Sequence, residues 1–115
     1  MVANPLVLRI VDRVRATLPA TVQCSVSRTW REVPAYPASP DKNLAEDLTA
    51  HTFTVFEAAL TPLEEGRRAT AEDFPITASQ ARRRLRQGVT LPDFLTGFRI
   101  GQETLWEAIV DASDS

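Results

Sequence analysis

Residues 81–110 read ARRRLRQGVTLPDFLTGFRIGQETLWEAIV. The first part predicts an arginine-rich helix whose only apolar stripe is narrow, made of Ala78, Ala81 and Leu85. Gly88 stands where a left-handed residue ends such a helix. The chain then restarts at Thr90-Leu91-Pro92-Asp93. Thr90 is the cap, Pro92 falls in the first turn and Asp93 occupies the capping-box position. One long helix follows, to about Ala112. At about 100° per residue, Leu91, Leu95, Phe98, Leu105, Trp106 and Ile109 share an arc, which marks the expected core face.

Working outward, proline and glycine divide the rest of the chain into further helices. Asn4-Pro5 is a start signal, with Asn4 as cap and Pro5 where a missing N–H is harmless. Leu6, Val7, Ile10, Val11, Val14 and Leu18 recur on one face, and Pro19 ends or kinks that helix. A second helix spans about Ala20 to Val33, with Val22, Val26, Trp30 and Val33 on its inner face. The β-branched and hydroxyl residues of 21–27 leave an extended form open. PAYPASP reads as a loop, and Ser39-Pro40-Asp41 as the start of the next helix. Its apolar face is Leu44, Leu48, Thr52, Val55, Phe56, Ala59 and Leu63, and Pro62 and Gly66 end it. Glu72-Asp73-Phe74-Pro75 belongs to a polar connection. About five helices and no confident strand give an all-α fold, a helical bundle or a globin-like arrangement.

A length of 115 residues suits one domain with one core. The hydrophobic fraction is 43% and the charged fraction 24%, so the chain has the composition of a folded protein. A net charge of -2 argues against a domain built mainly to grip nucleic acid. Cys24 is the only cysteine, which excludes an intrachain disulfide and a thiolate metal cage. A second histidine is lacking, so a histidine-based zinc site is not expected either, and neither is a cofactor. Charges at Arg9, Asp12, Arg13 and Arg15 interrupt the apolar residues near the start, and no run approaches the roughly 20 residues needed to span a bilayer. A cytoplasmic protein is the expectation.

The candidates for function cluster on the last helix. Arg99 and Gln102 fall inside its apolar arc, and Trp106 is two turns beyond Arg99. A buried guanidinium needs partners, and Glu103 is spaced to supply one. Arg99 either snorkels from a core edge or, with Gln102 and Trp106, lines a pocket that clamps an anionic group. Gly97, Gly101 and Ala108 lie on one flank, where another backbone could come close in the same chain or a partner. Ile100 points away from the arc and would be exposed in a monomer. Gly97, Ile100 and Gly101 are therefore the candidate interface of a homodimer.

Other features read as bland. Arg82, Arg83, Arg84 and Arg86 precede a turn and a helix, as in a helix-turn-helix. That motif wants a small residue at the position of Arg84, and the following helix looks like core, so the arginines read as a solvated face. His51, one turn after Asp47, is a boundary histidine or a pH-sensing unit. Cys24 falls opposite the apolar face, near Arg28 and Arg31. Glu64-Glu65 and Glu72-Asp73 read as solvated loop charge. Nothing here marks a catalytic centre, and the chain is expected not to be an enzyme.

Several short motifs occur in a telling order: Val33-Pro34-Ala35-Tyr36, Arg82-Arg83, Gln87-Gly88-Val89-Thr90-Leu91, Phe98-Arg99-Ile100-Gly101 and Leu105-Trp106. Together they resemble the N-terminal helical domain of PucR/CdaR-type bacterial transcriptional regulators, a domain type similar to that of RsbR-like stressosome proteins. The resemblance covers roughly Trp30 to Val110, and Phe98 stands where a tyrosine is usual. It implies a non-catalytic input domain that dimerises or senses a signal, with a C-terminal helix-turn-helix output domain lying outside these residues. On that reading the chain is a fragment or a short relative. The alternatives it leaves are a stressosome-type protein-interaction domain and a sensor of small anionic ligands.

Overall fold

The computed structural model describes residues 4–74 and 77–114. Among them, six α-helices and one 3₁₀ turn form an all-α bundle. Nothing in the packing singles out a globin arrangement. The first helix, α1 (Pro5–Ala16), is capped by Asn4, whose side-chain oxygen accepts from the Val7 N–H at 2.9 Å. Its break before α2 (Leu18–Glu32) is a single residue, Thr17, and Pro19 sits in the first turn of α2 rather than ending α1. The hydroxyl-rich start of α2 is helical, because Val22, Ser25, Val26 and Thr29 are buried along one side and tertiary packing outweighs local preference.

PAYPASP is not wholly a loop. Its centre forms the short helix α3 (Ala35–Ala38), and Tyr36 is 1% exposed, with its ring 6.0 Å from that of Trp30. The long helix α4 (Leu44–Glu65) begins later than Pro40. Ser39, the expected cap, is engaged elsewhere: its hydroxyl donates to the Gln87 carbonyl at 2.5 Å and accepts from the Asp41 N–H. Gly66 ends α4 at φ 69, as its position suggested. A 3₁₀ turn (Ala71–Asp73) follows, with Thr70 and Asp73 forming a reciprocal cap. Pro75, part of the expected polar connection, lies outside the described residues. The last helices are α5 (Thr77–Arg86) and α6 (Leu91–Ser113). Gly88 takes φ 92 between them, and the Thr90 side chain accepts from the Asp93 N–H.

The core sits where α1 and α2 meet α4 and α6. Both α4 and α6 pack on α2 and on α1, while α5 leans on α6 and α3 on α2. Val11, Val14, Leu18, Val22, Leu44, Leu60, Val89 and Ile100 fill the centre. Burial of this many aliphatic side chains supplies most of the driving force, about 1.5–3 kcal/mol each when complete. Polar ties cross the helices. Arg28 on α2 donates to Thr104 and Glu103 on α6, at 3.0 and 3.2 Å. Arg15 on α1 pairs with Glu57 and Glu64 on α4. Among the described residues, no helix is long and apolar enough to cross a membrane.

The rotation of α6 differs from the expected one. Its buried residues are Phe94, Ile100, Gly101, Thr104, Leu105 and Ala112. At about 100° per residue, that face is turned about a quarter of a circle from the expected arc of Leu91, Leu95, Phe98, Leu105, Trp106 and Ile109. The cause is shape. Gly97 and Gly101 let bulky neighbours approach the helix axis: a Cβ on Gly97 would lie 3.0 Å from the Tyr36 hydroxyl oxygen, and one on Gly101 3.6 Å from Phe56 and from the Ser25 oxygen. Side chains of the same chain therefore occupy the flank assigned to a partner. Ile100, expected at the surface, is 1% exposed. The candidate interface of Gly97, Ile100 and Gly101 is thus internal packing.

Candidate functional site

Turning α6 inward on its small residues leaves its large ones outside. Leu91, Leu95, Trp106 and Val110 are exposed by 58%, 57%, 64% and 37%. They lie within about 100° of helix circumference, with Arg99 and Gln102 between them, over about 28 Å of axis. Arg99 is exposed and donates to Glu103 at 2.9 Å, so it is neither a buried cation nor a pocket clamp. Trp106 points to solvent with it. Isolated surface leucines need no explanation, but two apolar pairs, Leu91 with Leu95 and Trp106 with Val110, flanking a polar centre form a candidate contact surface.

A second feature opens between α4 and α6. A cavity of about 410 Å³ has α2 as its floor, through Ser25 and Thr29, and the 3₁₀ turn and the residue after it as one wall, through Ala71 and Phe74. His51 and Phe56 line its α4 side, and Phe98 and Gln102 its α6 side. Of the three ligand residues expected from sequence, Gln102 lies on this cavity and Arg99 and Trp106 do not. The cavity has no charged lining residue, which removes the structural basis for an anionic ligand there.

His51 is 7% exposed rather than a boundary residue, and its ring stacks on Phe94 with centroids 6.3 Å apart. Burial, aided by the nearby Arg84 cation, lowers its pKa to about 4, so the imidazole is neutral near pH 7. Its Nε2 is buried without a hydrogen-bond partner. Asp47 is occupied by others: Arg83 donates to it at 2.6 and 2.9 Å and the Gln87 amide at 2.8 Å. Those contacts hold the Asp47 carboxyl below the usual carboxylate range.

The arginine helix is solvated only in part. Arg82, Arg83 and Arg86 are exposed, but Arg84 is fully buried while Leu85, expected inward, is 63% exposed. Arg84 Nη1 donates to the Gln87 side-chain oxygen at 2.7 Å, and its Nε and Nη2 are buried without partners. Gln87 in turn donates to Asp41 and Asp47. This buried relay pins the α5–α6 turn to the start of α4, and a run of four arginines gives no local sign of which one turns inward. Cys24 is exposed, as its place opposite the apolar face implied. No group of three or more metal-ligating side chains occurs among the described residues.

Residues 19–115 match the family described as the RsbT co-antagonist protein rsbRD N-terminal domain. The chain belongs to that family. The resemblance to PucR/CdaR-type regulators is thereby corrected: the shared motifs mark the stressosome-related domain and not a transcription-factor input domain. Short motifs common to two similar helical domains could not separate them, whereas a match over almost the whole chain does. The expectation of a helix-turn-helix output domain outside these residues rested on that resemblance alone. The domain is a non-catalytic signalling domain. No curated protein and no solved structure matches the chain.

Proposed function

We propose that this chain is a stressosome-type protein-interaction domain that forms one folded unit and assembles first with a second copy of itself. The observation that carries this reading is the outward ridge of α6. Positions 91 and 110, 95 and 106, and 99 and 102 are symmetric about a point between Ile100 and Gly101. An antiparallel two-fold pairing centred there sets Leu91 against Val110 of the second copy, Leu95 against Trp106, and Arg99 against Gln102. Apolar residues meet apolar ones at both ends and polar residues meet at the axis. Such self-complementarity is what an isologous interface requires. A shallow crossing of about 20° keeps all three pairs in register.

Membership of the rsbRD N-terminal family supports a role in protein assembly, and the solvent-facing Trp106 supplies a large anchor for it. Sedimentation velocity of the wild type and of Trp106→Glu tests the proposal. A concentration-dependent dimer in the wild type, weakened at least about tenfold in the variant, is expected, since a tryptophan that anchors an interface contributes about 2 kcal/mol or more. A wild type that stays monomeric, or a variant that dimerises equally well, contradicts it.

A further inference from the structure

The cavity between α4 and α6 is not needed for the pairing of two ridges, and its chemistry is distinct from theirs. Its volume of about 410 Å³ lies within the range of small-molecule sites. It stays open because the residues beneath it are small. Ser25 and Thr29 form the floor, and Gly97 and Gly101 keep the α6 wall back. The Thr29 hydroxyl is already spent on the Ser25 carbonyl at 2.9 Å, so it offers little to a guest. Phe56, Phe74 and Phe98 give the cavity flat apolar walls. His51 completes them, 7% exposed and carrying a buried Nε2 with no hydrogen-bond partner. The chain leaves this imidazole incompletely satisfied, and a ligand hydroxyl that reaches the ring supplies a hydrogen bond the chain does not.

We infer that this cavity binds a neutral aromatic molecule of one or two rings, whose single hydroxyl pairs with the His51 imidazole. Rings match the phenylalanine walls. Neutrality follows from a lining without charge: an ionised ligand would lose its hydration, and Arg84, the cation near His51, is fully buried and no part of the lining. A hydroxyl both donates and accepts, so it pairs with either tautomer of the neutral imidazole.

Three probes separate these elements: 2-naphthol, naphthalene and 2-naphthoate, titrated into the protein and followed by chemical-shift changes in amide NMR spectra. The neutral alcohol is expected to bind best. Naphthalene should bind about fivefold more weakly for want of one hydrogen bond, and naphthoate more weakly still. His51→Leu should erase the preference of 2-naphthol over naphthalene, and Ala59→Phe, which fills the cavity from α4, should abolish binding of both. Circular dichroism checks that each variant is folded, and the ranking in the wild type stands without either. Naphthoate binding as well as naphthol, an unchanged preference in folded His51→Leu, or no binding by any probe overturns the inference. Ala59→Phe binding like the wild type places the probes elsewhere and overturns it as well. The readout is independent of self-association, so failure here leaves the α6 pairing untouched.

Discussion

Desolvation of a single imidazole gives this fold a built-in pH dependence. His51 titrates near 4 in the folded chain, below its ordinary value of 6.5. The unfolded chain therefore takes up the proton first. The stabilisation is fully present above about pH 6.5 and is lost as pH falls toward about 4, amounting to about 3 kcal/mol over that window. Urea unfolding at about pH 7 and about pH 4.5 should show most of that loss in the wild type, and a much flatter profile in His51→Leu. Equal slopes in the two proteins would mean that His51 is not the group responsible. The depressed carboxyls of Asp41, Asp47 and Asp73 work in the same direction, but only below the ordinary carboxylate range. At this scale, residues with local roles were legible in the sequence. Asn4, Gly66, Gly88 and Thr90 act through neighbours only a few positions away, and they sit as their chemistry requires. Arg84 and His51 were not legible, because each owes its burial to distant parts of the chain.

Among the elements, α6 carries the main lesson. Its start and approximate length followed from Thr90, Pro92 and the apolar spacing, but its rotation did not. Large apolar residues dominate a periodicity count, whereas contact with α2, α3 and α4 is decided by where small residues admit Thr29, Tyr36 and Phe56. The spacing of Gly97, Gly101 and Ala108 was the available signal, and it pointed to close approach without saying which chain approached. The two glycines should respond oppositely to a methyl group. Gly101→Ala meets ordinary contacts at 3.6 Å and should gain up to about 1 kcal/mol of helix propensity. Gly97→Ala meets the hydroxyl oxygen of a fully buried Tyr36 at 3.0 Å. The ring cannot yield freely, so overpacking should outweigh the propensity gain and leave a net loss of about 1 kcal/mol. Denaturant midpoints of the two variants check this, and a stabilised Gly97→Ala would show that Tyr36 has room to move. The short helix α3 was missed for a related reason: three prolines in seven residues read as a loop until Tyr36 is seen to anchor it beneath α6.

For the molecule as a whole, the all-α class was plain from the sequence, while its two candidate surfaces were not. Both are by-products of one packing decision. By facing its glycines inward, α6 leaves a cavity beside α4 and presents its leucines and tryptophan to solvent. The family match places the chain among rsbRD N-terminal domains, and the proposed pairing with a second copy runs through the α6 ridge. Oxidative cross-linking of single-cysteine variants in a Cys24→Ser background probes that geometry most directly. In the antiparallel pairing, the two copies of position 102 are about three residues apart along the axis, about 4–5 Å, whereas the two copies of position 91 are about 28 Å apart. Gln102→Cys should therefore give a covalent dimer on a non-reducing gel, and Leu91→Cys should remain monomeric. A dimer from Leu91→Cys, or none from Gln102→Cys, would contradict two-fold assembly through this helix.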